Sequence, residues 1–94
     1  MYGLVVAVKF PTGGPTPEAK QMLESAILPM VKGWPGFVRG TWLQSIDGTN
    51  GTSLMLFDSK ESAEQAAKNV REMPPPPGAP TPDWIQVYEV VAEA

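Results

Sequence analysis

The chain carries few side chains with which to do chemistry. It contains no histidine and no cysteine. That excludes a histidine general base, a Ser–His pair and a histidine-ligated haem. It equally excludes thiolate nucleophiles, disulfides and zinc–thiolate sites. What remains is an aromatic and neutral polar set. Trp34, Trp42, Trp84, Tyr88 and Phe57, with Met22, Met30 and Met55, can line a site for a flat ligand, and suit a core or a subunit interface equally well. Trp42 stands out because it falls in mid-strand beside Gly40, where a missing side chain leaves space. Tyr88 has a hydroxyl that needs a partner when buried and can donate to a substrate oxygen. Arg39 also falls in a strand, where an unpaired cation is costly. A salt bridge to Glu89 or Asp58 would satisfy it; otherwise it can hold an enolate or phenolate. Gln44, Ser53 and Asn69 are further polar candidates. The candidates for catalysis are therefore Trp42, Tyr88 and Arg39, and those for a substrate pocket are Trp42, Met22, Phe57 and Asn69. No metal site or cofactor is expected. No carboxylate pair has a telling spacing, and Gly13-Gly14, set between prolines, reads as a turn.

Six elements must position these groups. Residues 2–10 alternate, with Tyr2, Leu4, Val6, Val8 and Phe10 on one face, which predicts a strand. Pro11-Thr12-Gly13-Gly14-Pro15 ends it. Thr16-Pro17-Glu18 opens a helix with a cap, a proline at the first position and an acid at the positive end of the dipole. Ala19, Met22, Leu23, Ala26, Ile27, Met30 and Val31 form its apolar stripe. Pro29 cannot donate to the carbonyl of Ser25, which predicts a kink or a tightened last turn. After Gly33 and Pro35, residues 37–46 and 52–57 read as a hairpin around Asp47-Gly48-Thr49-Asn50-Gly51. Val38, Gly40, Trp42 and Gln44 would share one face of the first hairpin strand, and Phe37, Arg39, Thr41, Leu43 and Ser45 the other. Asp58 to Glu61 has capping-box spacing and starts a second helix. Its inner face, Ala63, Ala66, Ala67 and Val70, is small enough to approach a sheet closely or to leave room beneath. Glu64 and Lys68 form an expected surface pair. The proline-rich run over 74–82 is an extended connector, or a ligand for an aromatic groove on another protein. Residues 84–92 alternate again as a last strand.

Strand, helix, strand, strand, helix, strand is the order of the ferredoxin-like βαββαβ fold, an α+β architecture. Right-handed crossovers place both helices on one face of a four-stranded antiparallel sheet. Ninety-four residues suit a single domain spanning 1–94. Apolar residues lie on both sides of several strands, so the face away from the helices is expected to pack against a second copy. With a net charge of −3 and dispersed lysines and arginines, no nucleic-acid partner is expected. The apolar first ten residues lack a basic leader and are too short to span a bilayer, so no membrane partner and a cytoplasmic location are expected.

Several of these features together resemble the antibiotic biosynthesis monooxygenase family of the dimeric α+β barrel superfamily. They are the Gly-Trp-Pro-Gly-Phe turn of 33–37, the Gly-Thr-Trp of 40–42, the strand and cap reading LMLFDSKESAEQAA over 54–67, and the terminal VYEVVAEA of 87–94. The resemblance implies a homodimer whose two sheets form a barrel, with a pocket between sheet and helices in each subunit. It implies either a cofactor-independent monooxygenase acting on an aromatic or quinol-type small molecule, or a non-catalytic dimer that binds a small molecule or partner. Haem-degrading relatives are excluded by the absence of histidine. In a cofactor-free oxygenase the substrate's own carbanion or phenolate reacts with dioxygen, which asks of the protein an apolar pocket and a few polar groups to hold an oxyanion.

Overall fold

The computed structural model describes residues 1–10, 17–73 and 82–94. The expected turn over 11–15, the cap at Thr16 and all but the last residue of the proline-rich run lie outside the described residues, as do the side chains of Glu18 and Ala19. Four strands, β1 (Tyr2–Lys9), β2 (Phe37–Gln44), β3 (Asn50–Phe57) and β4 (Pro82–Glu89), form one sheet in the order β2-β3-β1-β4. All three pairings are antiparallel. This is the expected ferredoxin-like α+β fold, a four-stranded antiparallel sheet with two helical segments.

Register decides which side chains meet. Leu4 stands opposite Met55 on one side and Val87 on the other; Val6 stands opposite Ser53 and Ile85. This face lies under the helices. Leu4, Val6, Met55 and Phe57 are buried there with Val31 of the first helix and Ala63, Ala66 and Ala67 of the second. The alanines carry out the close approach that their size allows, with 0–2% of their surface exposed. The opposite face carries Gly3, Val5 and Ala7, then Leu54 and Leu56, Thr41 and Leu43, and Trp84 and Tyr88.

A bulge corrects the expected face pattern of β2. Phe37 pairs with Phe57 while Arg39 pairs with Leu56, so two residues of β2 oppose one of β3. The extra residue turns Phe37 to the helix side, where its ring meets Phe57 edge-on at 5.9 Å, while Arg39 stays on the other face. The hairpin turn also falls two residues earlier than expected, between Gln44 and Asn50. β2 stops at Gln44, and Ile46 is fully exposed. Asp47 accepts from the Ser45 and Thr49 hydroxyls at 2.8 and 2.7 Å and from the Thr49 N–H at 3.1 Å. These bonds close a compact turn around Gly48, whose φ is +74°.

The first helical segment differs from expectation at Pro29. It runs as α-helix over Pro17–Met22, as π-helix over Leu23–Ile27 and as α-helix again over Leu28–Lys32. The Leu28 N–H donates to the carbonyl of Leu23, five residues back. Pro29 cannot donate to Ser25 and its ring crowds that carbonyl, so the preceding turn widens where a kink or a tightened last turn was expected. The added residue per turn rotates the apolar stripe. Ala26 is exposed, Met22 and Leu23 are only half-buried, and Val31 becomes the anchor.

The second helix, Lys60–Glu72, starts one residue later than expected. Ser59 is the cap, and its hydroxyl accepts from the Ser62 N–H at 3.1 Å. Asp58 instead donates its N–H to the Gly36 carbonyl at 2.9 Å. Glu61 therefore does not close a capping box, and its carboxylate is left for other use. Lys60 rather than Lys68 pairs with Glu64, at 3.8 Å. β4 ends at Glu89, short of the expected 92, and the chain beyond it turns so that Glu93 reaches Arg39 at 3.6 Å. Among the described residues no helix is long and apolar enough to cross a membrane.

Candidate functional site

The turn between the first helix and β2 meets the start of the second helix closely enough to build one wall of a groove. Trp34 donates its N–H to Val31, and Phe37 donates to Trp34, which folds Trp34-Pro35-Gly36 tightly back on the helix end. Gly36 takes φ +76°, and a Cβ there would stand 2.5 Å from Asp58 Oδ1 and 2.5 Å from Ser62 Oγ. Only glycine lets the turn sit this close to the second helix. The result is an open groove of about 250 Å³ lined by Trp34, Pro35, Glu61, Ser62, Gln65, Ala66 and Asn69.

Its polar groups form a short ladder along one helix face. Gln65 Nε2 donates to Asn69 Oδ1 at 3.0 Å, and the Ser59 hydroxyl donates to Ser62 Oγ at 3.0 Å. The donor and acceptor capacity left over is the Asn69 amide N–H pair, the Gln65 carbonyl and the Ser62 hydroxyl proton. Glu61 makes no hydrogen bond or ion pair among the described residues. An indole, a proline ring and an alanine supply the apolar part. Such a lining accepts a flat ring bearing oxygen substituents.

The expected site residues scatter. Asn69 lines the groove. Phe57 is fully buried at 0% exposure and belongs to the core, outside the groove lining. Met22 sits half-buried on the first helix, away from the groove. Trp42 does not stand beside an empty space at Gly40: its own indole fills it, since a Cβ on Gly40 would lie 2.7 Å from Trp42 Cζ3. Tyr88 lies on the opposite sheet face with its ring 5.9 Å from that of Trp84. Arg39 occupies that face too, paired with Glu93 rather than with Glu89 or Asp58. Ser53 is buried opposite Trp42, and Gln44 is exposed at the end of β2. Sequence reasoning named Trp34 only as part of the aromatic inventory and passed over Pro35, Glu61 and Ser62. Asn69, expected as a polar pocket residue, was the one signal that pointed to this helix face.

A second hollow, of about 330 Å³, opens at the far end of the sheet between Ala7–Lys9, Thr49–Gly51 and Asp83. An exposed ion pair, Lys9 to Asp83 at 3.9 Å, crosses it. Hydrogen bonds from the Thr49 hydroxyl, the Ser45 hydroxyl and the Thr49 N–H hold Asp47 below the usual carboxylate range.

No protein-family model matches the sequence, and no curated protein matches it. Solved structures do match. The chain superposes on a monooxygenase from the gene ActVA-Orf6 of Streptomyces coelicolor, solved in complex with the ligand nanaomycin D. That match has a TM-score of 0.63 and 15% identity, covering 99% of this chain and 89% of the other. It also superposes on a variant of MhuD solved with two manganese protoporphyrin IX molecules bound per active site. Here the TM-score is 0.59 and the identity 18%, with 100% and 98% of the two chains covered. Both are antibiotic biosynthesis monooxygenase-like proteins, and the resemblance seen in the sequence holds for the fold. The donor set does not suit the porphyrin found in the second. With no histidine or cysteine in the chain, the groove offers a porphyrin's metal only carboxylate, hydroxyl and carboxamide oxygens.

Proposed function

We propose that the protein is a homodimeric, cofactor-independent monooxygenase acting on a neutral aromatic or quinol-type small molecule held in the groove between Trp34 and the second helix. The observation that carries this reading is the fold shared with a monooxygenase over 99% of the chain. A groove with an indole wall and unspent amide donors supports it. The substrate ring lies against Trp34. The Asn69 amide donates to the ring oxygen on which negative charge develops when the substrate loses a proton, favouring the electron-rich form that attacks dioxygen. For an anthrone, one oxygen atom enters the ring carbon and the other leaves as water with the two hydrogens of that carbon; the substrate supplies the electrons.

The dimer forms through the sheet face that the helices do not cover. That face exposes Leu43, Trp84, Tyr88 and Leu54, the first at 58% of its full surface. An apolar area of this kind is costly in water, and a second copy of the same sheet covers it with matching chemistry. The groove lies on the helix side, so association leaves it open.

The test is oxygen consumption in air with anthrone, with product followed as anthraquinone. Turnover that falls at least tenfold in Asn69→Ala supports the proposal. Saturable binding of the ring without oxygen uptake would instead establish the second reading, a non-catalytic binding dimer. What favours that reading is that Glu61 is the only acid or base in the groove lining.

A further inference from the structure

The charge around the groove says more about its ligand than its shape does. All seven lysines and arginines of the chain fall among the described residues, and none lines the groove. Lys9, Arg39 and Lys60 are turned to Asp83, Glu93 and Glu64. Arg71 donates to the Ile85 carbonyl at 3.4 Å, on the β4 side of the second helix. The one charge in the lining is the Glu61 carboxylate. It is not consumed by the cap, because Ser59 and Ser62 complete that bond between themselves. It stands in the first turn of the helix, at the positive end of the dipole.

We infer that Glu61 is a charge selector: the groove admits neutral or cationic ring compounds and rejects carboxylated ones, so Glu61 sets which aromatic metabolites this protein can bind. The inference rests on the groove reading above and narrows it. A ligand carboxylate about 5 Å from Glu61 meets repulsion worth roughly a tenfold loss of affinity at the solvent-rich effective dielectric of such a groove. A phenol or quinol hydroxyl at the same place instead gains a charge-assisted hydrogen bond to the carboxylate. Asn69, four helical positions on from Gln65, supplies the donor for a second ring oxygen. Recognition is then a donor on the ligand facing Glu61 and an acceptor facing Asn69, with the ring on Trp34.

The experiment uses the full chain and two probes of one size, 2-naphthol and 2-naphthoate, titrated by calorimetry at pH 7 in low salt. The wild type is expected to bind 2-naphthol about tenfold tighter. Glu61→Gln, an exposed isosteric change, is expected to bring the two within about threefold, chiefly by tightening 2-naphthoate. Raising the salt to 0.5 M is expected to narrow the wild-type ratio in the same direction. Equal affinities in the wild type, or an unchanged ratio in Glu61→Gln, would overturn the selector. If neither probe binds, the groove is not a ring site and both readings fall. If the ratio behaves as stated but anthrone consumes no oxygen, the selector stands and the oxygenase does not.

Discussion

Replacing Gly36 by alanine should damage the fold and the groove together. Two costs add at this position. The backbone holds φ at +76°, where a residue with a Cβ loses about 1–2 kcal/mol. The new methyl would also stand 2.5 Å from Asp58 Oδ1, 2.5 Å from Ser62 Oγ and 2.7 Å from Ser62 Cβ. Asp58 can swing away. Ser62 cannot, because its Cβ is fixed to the helix and its hydroxyl is held by the cap. The crowding therefore costs a further 1–2 kcal/mol or so, the lower half of the usual range for overpacking. The expected loss is about 2–4 kcal/mol, read as a fall of roughly 10–25 °C in Tm for a domain of this size. Urea denaturation followed by circular dichroism measures it. Ser62→Gly in the same background removes the atoms struck, so the double variant should lose at least 1 kcal/mol less than the sum of the single losses. A loss below about 1 kcal/mol for Gly36→Ala, with strict additivity in the double variant, would refute the close approach on which the groove wall depends.

Four other outcomes follow from the same structure. Gly40→Ala displaces the indole that now covers it, at about 1–3 kcal/mol; Trp42→Phe in that background should recover part of the loss, and near-ultraviolet circular dichroism reports the ring's movement. Phe57→Ala, which opens a cavity beside Phe37 under both helices, should cost about 3–5 kcal/mol in chemical denaturation. Because hydrogen bonds lower the folded-state pKa of Asp47, its contribution is present above the unfolded value and is lost as pH falls through the folded one. The stability difference between the wild type and Asp47→Asn should thus be positive near pH 6 and shrink below about pH 4. Leu54→Glu, on the proposed dimer face, should shift sedimentation from dimer to monomer without changing the far-ultraviolet spectrum; a monomeric wild type at micromolar concentration would remove the dimer from the proposal.

The order of elements, the one-sided packing of β1 and the small inner face of the second helix were all legible in the sequence. Each rests on local periodicity, because residues two apart in a strand, or three to four apart in a helix, share a face wherever the chain goes. The family resemblance was legible for the same reason, since turns, caps and core spacing carry the fold. The faces of β2 were not. A bulge depends on pairing with β3, and one inserted residue moved Phe37 into the core and left Arg39 on the other side. Pro29 announced a defect, and only the folded chain shows that the helix widens there.

The candidate site was the least legible part. Trp42 beside Gly40 suggested a vacancy, and only the folded chain shows that the indole turns back onto its own glycine. Tyr88 was tied to a pocket before the side of the sheet on which it falls was known; parity with Gly3 places it away from the helices. By itself the sequence determined what chemistry is unavailable, since a chain without histidine and cysteine lacks those ligands and bases in every conformation. The tertiary structure alone decided what chemistry is within reach. Trp34 and Asn69, far apart in the chain, come to line one groove only because Gly36 lets a turn rest against a helix, and contacts of that kind leave no periodic trace in sequence.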